Sequence, residues 1–182
     1  VKNNLEDTET IHITIKNYEA DDVIGSLASL SEAQGFNTTI FTVDMDLLQL
    51  VTKNTNVEAF SQYHGIRYFD EDTVIDRFNG LMPVNIPDYK ALVGDPSDNL
   101  PGVPGIGKLS ANRIFECYSN LEEVYENIAD IRDAGYRGAK NISHLLIENK
   151  SQAFLMRDLT TIVRDLPIDV EIRRSRIMTS IG

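Results

Sequence analysis

Three short stretches hold the residues best suited to chemistry in this 182-residue chain: Glu19, Asp21 and Asp22 in YEADD, Asp44 and Asp46 in TVDMD, and Asp95 and Asp98 in VGDPSDN. Taken singly, each has an ordinary structural role. Acids at a helix start complement its dipole, Asp44 suits a helix N-cap, and Asp-Pro and Asp-Asn form turns. Taken together, seven carboxylates with no basic residue interleaved would repel one another unless cations neutralise them. Hard oxygen ligands with places left for water point to Mg²⁺ or Mn²⁺. A second feature is PGVPGIG followed by KLSANRIF. The turn exposes backbone N–H groups around Gly102, Gly105 and Gly107, and with Lys108 and Ser110 it forms a generic phosphate cradle; a plain αα-corner is the alternative. Its spacing departs from G-x-x-x-x-G-K-[ST] and follows a helical pattern instead of a strand, which rejects a nucleotide P-loop.

The elements that position these residues are legible in the periodicity. Residues 11–15 (IHITI) alternate like a strand, and Glu19–Gln34 carries a helical apolar stripe ended by Gly35. Opposite that stripe stand Asp22, Gly25, Ser26 and Ser29, small residues that let something approach closely. TTIFTV (38–43) reads as a buried strand with Asp44 and Asp46 at its carboxyl end, where ligands of open α/β sheets bind. A short helix (MDLLQLV) and extended pieces near 56–60 and 66–69 follow, an alternation that predicts a parallel sheet. From Asp70 onward the patterns are helical: DEDTVIDRF, IPDYKALVG, KLSANRIFECY, LEEVYENI and a longer pair between Ala139 and Val163. A sheet with two firm strands is too small to bury both faces, and with a chain that starts at Val1 the expectation is a fragment of a longer protein.

Composition narrows the class. With 42% apolar residues and no apolar run near the ~20 residues of a bilayer span, the sequence describes a globular protein without a signal peptide pattern. One cysteine, Cys117, and scattered His12, His64 and His144 argue against a zinc site. The net charge of −11 argues at face value against nucleic acid. It is uneven, however: residues 1–80 hold 5 basic and 14 acidic side chains, and residues 81–182 hold 12 and 14. The acidity belongs to the part that carries five of the seven acids.

YEADDVIGSLA, TVDMDLLQL and DYKALVGDPSDNLPGVPGIG, in this order, resemble the 5′ nuclease domain of bacterial DNA polymerase I and its flap endonuclease relatives, from about Tyr18 to about Pro167. The resemblance implies an α/β fold, a partial PIN-like parallel-sheet nuclease core (its C-terminal part, residues 1–80) followed by an all-helical helix-3-turn-helix, SAM-like DNA-binding domain (residues 81–182). It implies two Mg²⁺ or Mn²⁺ ions on Glu19, Asp21, Asp22, Asp44, Asp46, Asp95 and Asp98, with Asp22, Asp44 and Asp95 as catalytic acids. It further implies K⁺ on the backbone carbonyls of Leu92, Val93, Pro101, Val103 and Ile106, and DNA contacts from Gly102, Gly105, Gly107, Lys108 and Ser110. The implied partners are DNA with a 5′ flap or 5′ end and a fused or separate DNA polymerase, with no membrane, in the cytoplasm at the nucleoid. The family's hairpin lysine falls on Leu109 here, one place after Lys108. Its first strand, with a further metal-binding Asp, and its basic arch have no counterpart from Val1 onward, so this chain alone is expected to be a poor nuclease.

The function expected from this sequence is Mg²⁺-dependent, structure-specific 5′ nuclease activity in replication or repair. Two other readings stand beside it. One is a non-catalytic DNA-binding fragment; the other is a haloacid-dehalogenase-type phosphatase, whose DxD and GDxxND signatures VDMD and VGDPSDN superficially match.

Overall fold

The computed structural model describes residues 12–170, which form two compact units, one of residues 12–37 with 162–170 and one of residues 38–161. In the first unit, helix α1 (Ala20–Ala33) starts at Glu19 and ends through Gln34 into Gly35, whose φ of +78° stops the helix. The Asp22 carboxylate accepts a hydrogen bond from the Glu19 N–H at 3.3 Å, the reciprocal half of a capping box.

The small-residue face of α1 meets the chain's own returning segment. Val163 N–H donates to Asp22 Oδ1 at 2.9 Å, Leu166 N–H donates to Ser26 Oγ at 3.0 Å, and Arg164 Nε donates to Ser29 Oγ at 3.1 Å. Positions 22, 26 and 29 are one helical row, and Gly25 and Ser26 are buried there. What the sequence leaves open as a close approach is thus, in this structure, extended backbone of residues 163–166. The strand expected at 11–15 does not form at residues 12–15, and Ile11 lies outside the described residues. Alternating β-branched residues favour an extended chain, but a strand exists only with a ladder partner, and the described strands pair with one another.

In the second unit, β1 (Thr38–Thr42), β2 (Thr55–Ser61) and β3 (Gly65–Phe69) form a sheet in that order. β1 and β2 are parallel, whereas β2 and β3 are antiparallel, so the sheet is mixed, not purely parallel as the sequence suggested. The three residues 62–64 are too few for a crossover and force a hairpin. Alternation gives the sheet an inner face of Ile40, Val57, Ala59 and Phe69. Its outer face leaves Phe41, Phe60, Ile66 and Tyr68 exposed, in keeping with a sheet too small to bury both sides.

Helices follow: α2 (Glu71–Arg77), α3 (Ile86–Val93), α4 (Lys108–Phe115), α5 (Leu121–Glu126), α6 (Ile128–Asp133), α7 (Ala139–Glu148) and α8 (Lys150–Thr160). Asp70 caps α2 by accepting from the Thr73 N–H at 3.0 Å. LEEVYENI is broken at Asn127 into α5 and the start of α6. Leu92, Ile114, Leu121, Val124 and Leu146 lie at the centre of the helical core, each at most 2% exposed. Among the described residues no helix is long and apolar enough to cross a membrane.

One backbone approach fixes how α3 meets the hairpin. Gly94 and Gly102 have φ of +81° and +63°, and a Cβ on Gly102 would lie 2.6 Å from the Val93 carbonyl carbon and 2.7 Å from the Leu92 oxygen. Two main chains pack there with no room for a side chain. Gly80 also has positive φ, +97°, but with open space around it. Gly80→Ala should therefore cost about 1–2 kcal/mol from left-handed strain alone. Gly102→Ala should cost about 1–3 kcal/mol more, because backbone must also shift. Urea unfolding of both variants checks this, and equal losses would contradict the close approach.

Candidate active site

The site is assembled where β1 ends and where α3 ends. After Thr42 the chain turns: the Asp44 N–H donates to Thr42 Oγ1 at 2.9 Å, and Asp44 Oδ1 accepts from the Asp46 N–H at 2.9 Å. Asp46 then opens a 3₁₀ turn, Asp46–Leu50, whose Leu47, Leu48 and Leu50 are buried and anchor it. Asp44 therefore serves as a turn acceptor, close to the capping role its position allows.

α3 supplies the other side. Gly94 carries the chain out of the helix, Asp95 and Leu100 pair through two backbone hydrogen bonds of 2.9 and 2.8 Å, and Asn99 adopts φ of +57° within the turn between them. The Asp95 carboxylate braces that turn by accepting from Ser97 N–H at 3.0 Å and from the Ser97 hydroxyl. Asp98 projects from it, exposed.

These two sources bring Asp46, Asp95 and Asp98 together: one carboxylate oxygen from each lies within 4.8 Å of the others. Asp44 lines the same cleft, which has a volume of about 720 Å³ and also includes Met45, Tyr89, Lys90 and Lys108. Glu19, Asp21 and Asp22 belong to the first unit, at the start of α1. Asp22 is engaged there with Val163 and Glu19 backbone.

The acids of the second unit are not free of basic residues, as the linear sequence suggested. Lys90 on α3 donates to Asp46 Oδ1 and lies 2.6 Å from Asp95 Oδ2. It was missed because it stands five residues before Asp95, outside the acidic stretches; the signal was helical, since position 90 faces the helix end that Gly94 closes. Burial works against ionised Asp95, but hydrogen bonds from Lys90 and Ser97 outweigh it and hold its pKa down at about 2. Asp46 is pushed up instead, chiefly by burial, with repulsion from Asp44 and Asp98 adding to it and Lys90 opposing it. Burial would lower the Lys90 pKa, yet its two carboxylate partners raise it. One ammonium thus serves both acids, and their pKa values shift in opposite directions because burial dominates at Asp46 while Ser97 adds donors at Asp95.

A clustered set of carboxylate oxygens suits a hard divalent cation with water filling the remaining positions. Among the described residues Asp46, Asp95 and Asp98 bring such oxygens together, with Lys90 engaging the first two.

The hairpin leads into α4, whose first residue, Lys108, lines the same cleft. Gly102 is buried against residues 92–94, and Gln152 Nε2 donates to its carbonyl at 2.6 Å. Gly105, with φ of +87°, faces Leu145, and Gly107 precedes α4 in an extended conformation with no side-chain cap. The N-terminus of α4 is therefore open, and Lys108, its first residue, is exposed and lines the cleft. Ser110 is half-buried and Leu109 exposed. Of the carbonyls considered for K⁺, Leu92 accepts from Val103 N–H at 2.9 Å and Val103 from Ile106 N–H at 3.0 Å. A second lone pair remains on each. Pro101 is exposed, Val93 half-buried and Ile106 buried.

Comparison with known proteins identifies the family. The family model for the 5′-3′ exonuclease N-terminal resolvase-like domain matches residues 1–79, and that for the 5′-3′ exonuclease C-terminal SAM fold matches residues 81–180. The DNA polymerase I of Caldicellulosiruptor bescii is 43% identical over 166 residues, 90% of this chain and 19% of that protein. The 5′-3′ exonuclease of Buchnera aphidicola subsp. Acyrthosiphon pisum is 42% identical over 161 residues, 88% of this chain and 55% of that protein. The chain thus spans about a fifth of the one relative and about half of the other. In fold it is similar to the 5′-exonuclease of T5 with bound divalent metal ions (zinc), at a TM-score of 0.67 and 22% identity over 83% of this chain and 52% of that one. The Rad2 catalytic core in complex with DNA substrate gives 0.52 and 17% over 83% and 49%. With an α/β portion and a SAM-fold portion each matched along its length, the chain belongs to the 5′-3′ exonuclease family.

Proposed function

We propose that this chain carries the metal-binding and DNA-gripping parts of a Mg²⁺-dependent, structure-specific 5′ nuclease that hydrolyses DNA phosphodiesters at 5′ ends or flaps. The observation that carries the reading is the gathering of Asp46, Asp95 and Asp98 in a cleft also lined by Lys108. Acids that attract cations and a lysine that attracts phosphate are placed on one surface. The proposal takes residues 1–80 as the nuclease portion and 81–182 as the DNA-binding portion. It takes all seven acids as the ligands of two ions, with Asp22, Asp44 and Asp95 closest to the chemistry.

When bound, Mg²⁺ ions would activate water and neutralise charge on the phosphate. The protein's own share is positional. The Asp44 and Asp95 carboxylates are oriented by the Asp46 and Ser97 backbone N–H groups before any ion arrives, which limits the reorganisation that binding requires of them. The open N-terminus of α4 and Lys108 contact duplex phosphates, which position DNA without reading its sequence. K⁺ on the Leu92, Val93, Pro101, Val103 and Ile106 carbonyls would brace that hairpin. The longer protein to which such a chain would belong, with a fused or separate DNA polymerase as partner, would work in the cytoplasm at the nucleoid. The close DNA polymerase I similarity supports the polymerase link. The phosphatase reading loses its footing because VGDPSDN runs directly into the glycine hairpin and α4, with no strand after it among the described residues.

Asp98 gives the cleanest test, since it is exposed and carries none of the turn's own hydrogen bonds described above. Asp98→Asn should weaken Mn²⁺ binding in calorimetry by about tenfold or more, as affinity follows ligand charge. It should also slow Mg²⁺-dependent cleavage of a 5′ flap by the protein that contains this chain. Unchanged affinity and rate would sink the metal-site reading. Lys108→Glu should weaken duplex binding and reduce the salt dependence by about one phosphate's worth, a change of ~0.9 in the log–log slope. A slope identical to the wild type would show that Lys108 does not meet phosphate.

A further inference from the structure

Lys90 stands inside the acid cluster, and no metal or phosphate motif accounts for it. Lysines ordinarily keep the ammonium in water, yet this side chain is 13% exposed. Its Nζ touches oxygens of Asp46 and Asp95, two of the three residues whose carboxylates converge within 4.8 Å. A positive group therefore sits where the geometry favours a cation. Besides Lys90, Ser97 holds the Asp95 carboxylate and the 3₁₀ turn fixes the backbone of Asp46.

We propose that Lys90 is an internal counter-ion of the cluster, a positioning residue that keeps Asp46 and Asp95 together in the metal-free protein and yields to a divalent cation on binding, thereby lowering the site's affinity. This rests on the reading that the cluster binds a divalent ion. Lys90 acts in two opposed ways. It relieves like-charge repulsion among Asp44, Asp46, Asp95 and Asp98, which stabilises the metal-free fold. It also competes for the same oxygens and repels an incoming dication at a few ångströms, where charges interact strongly even at an effective dielectric of about 20. Because Ser97 holds the Asp95 carboxylate and the 3₁₀ turn fixes the Asp46 backbone, removing Lys90 frees only the Asp46 side-chain torsions, and competition is the larger effect. The cluster thereby stays folded without metal and releases it readily.

Mn²⁺ titration calorimetry and thermal melting, each with and without Mn²⁺, on wild type, Lys90→Met, Lys90→Arg and Asp98→Asn test this. Lys90→Met keeps the apolar stem and removes the charge. It should melt lower than wild type without metal and bind Mn²⁺ about tenfold or more tighter. The rise in Tm on adding Mn²⁺ should then exceed that of wild type. Lys90→Arg, which keeps the charge, should stay within about threefold of wild-type affinity, an outcome a purely packing role would not produce. If Lys90→Met binds Mn²⁺ no more tightly than wild type while Asp98→Asn binds more weakly, the counter-ion role is overturned and the metal site stands. If wild type binds no Mn²⁺, both are overturned. Should Lys90→Met fail to fold without metal, recovery of its melting transition in Mn²⁺ supports the proposal and failure to recover overturns it.

Discussion

Repulsion among carboxylates crowded into one cleft is the constraint that the second unit is arranged around. Asp46, Asp95 and Asp98 would spread apart if their backbones were free, since like charges a few ångströms apart destabilise one another. Besides the Lys90 ion pairs, their backbones are fixed by parts that do not depend on charge. β1 and the buried leucines of the 3₁₀ turn set Asp46, and the abutting backbones of Gly94 and Gly102 set the turn that carries Asp95 and Asp98. The glycines are thus related to the acids in a physical way: without the close main-chain approach, the loop between them would lose its anchor at both ends.

α3 connects this cleft to the helical core through two charged residues on roughly opposite sides. Asp88, only 5% exposed, accepts from the Leu121 N–H and lies 3.6 Å from Arg157 of α8, which also pairs with Glu122 at 2.5 Å. Lys90, two residues on and about 200° around the helix, faces the acids. Burial raises the Asp88 pKa, with the Leu121 N–H and Arg157 opposing that rise. Removing Arg157 would leave the buried Asp88 carboxylate without a counter-charge, so rotation of α3 is resisted on both sides. The helix that aims Lys90 at the cleft is the same one that ties α8 to the core.

Much of this was legible in the sequence because it is written in local patterns. The bounds of α1, the strand at 38–42 and the helices from Asp70 onward follow from apolar period, capping acids and glycines, and two of the three acid stretches marked Asp46, Asp95 and Asp98, which do converge. What was not legible depended on partners. Residues 12–15 have strand composition but no ladder, and β3 became antiparallel because a three-residue connection allows nothing else. Lys90 was invisible among the acids because its proximity to Asp46 spans 44 residues of chain. Linear spacing reveals which residue types share an element and is silent on which element will lie opposite.

The small-residue face of α1 shows the same limit and adds a point about carboxylates. Gly25 and Ser26 signalled close approach, and the approaching group is backbone at 163–166, tied down partly through Asp22. Asp22 so engaged is not thereby lost to other chemistry. An ionised carboxylate offers about four lone-pair directions, and two N–H donors at 2.9 and 3.3 Å take one on each oxygen. Asp44 and Asp95 follow the same pattern, accepting from Asp46 and Ser97 backbone while facing the cleft. Hydrogen bonds of this kind fix the side-chain torsions and leave the remaining lone pairs directed outward. An acid held in this way binds a cation with less loss of conformational freedom than an unattached one, which is why structural and ligand roles coincide in the same residues instead of competing for them.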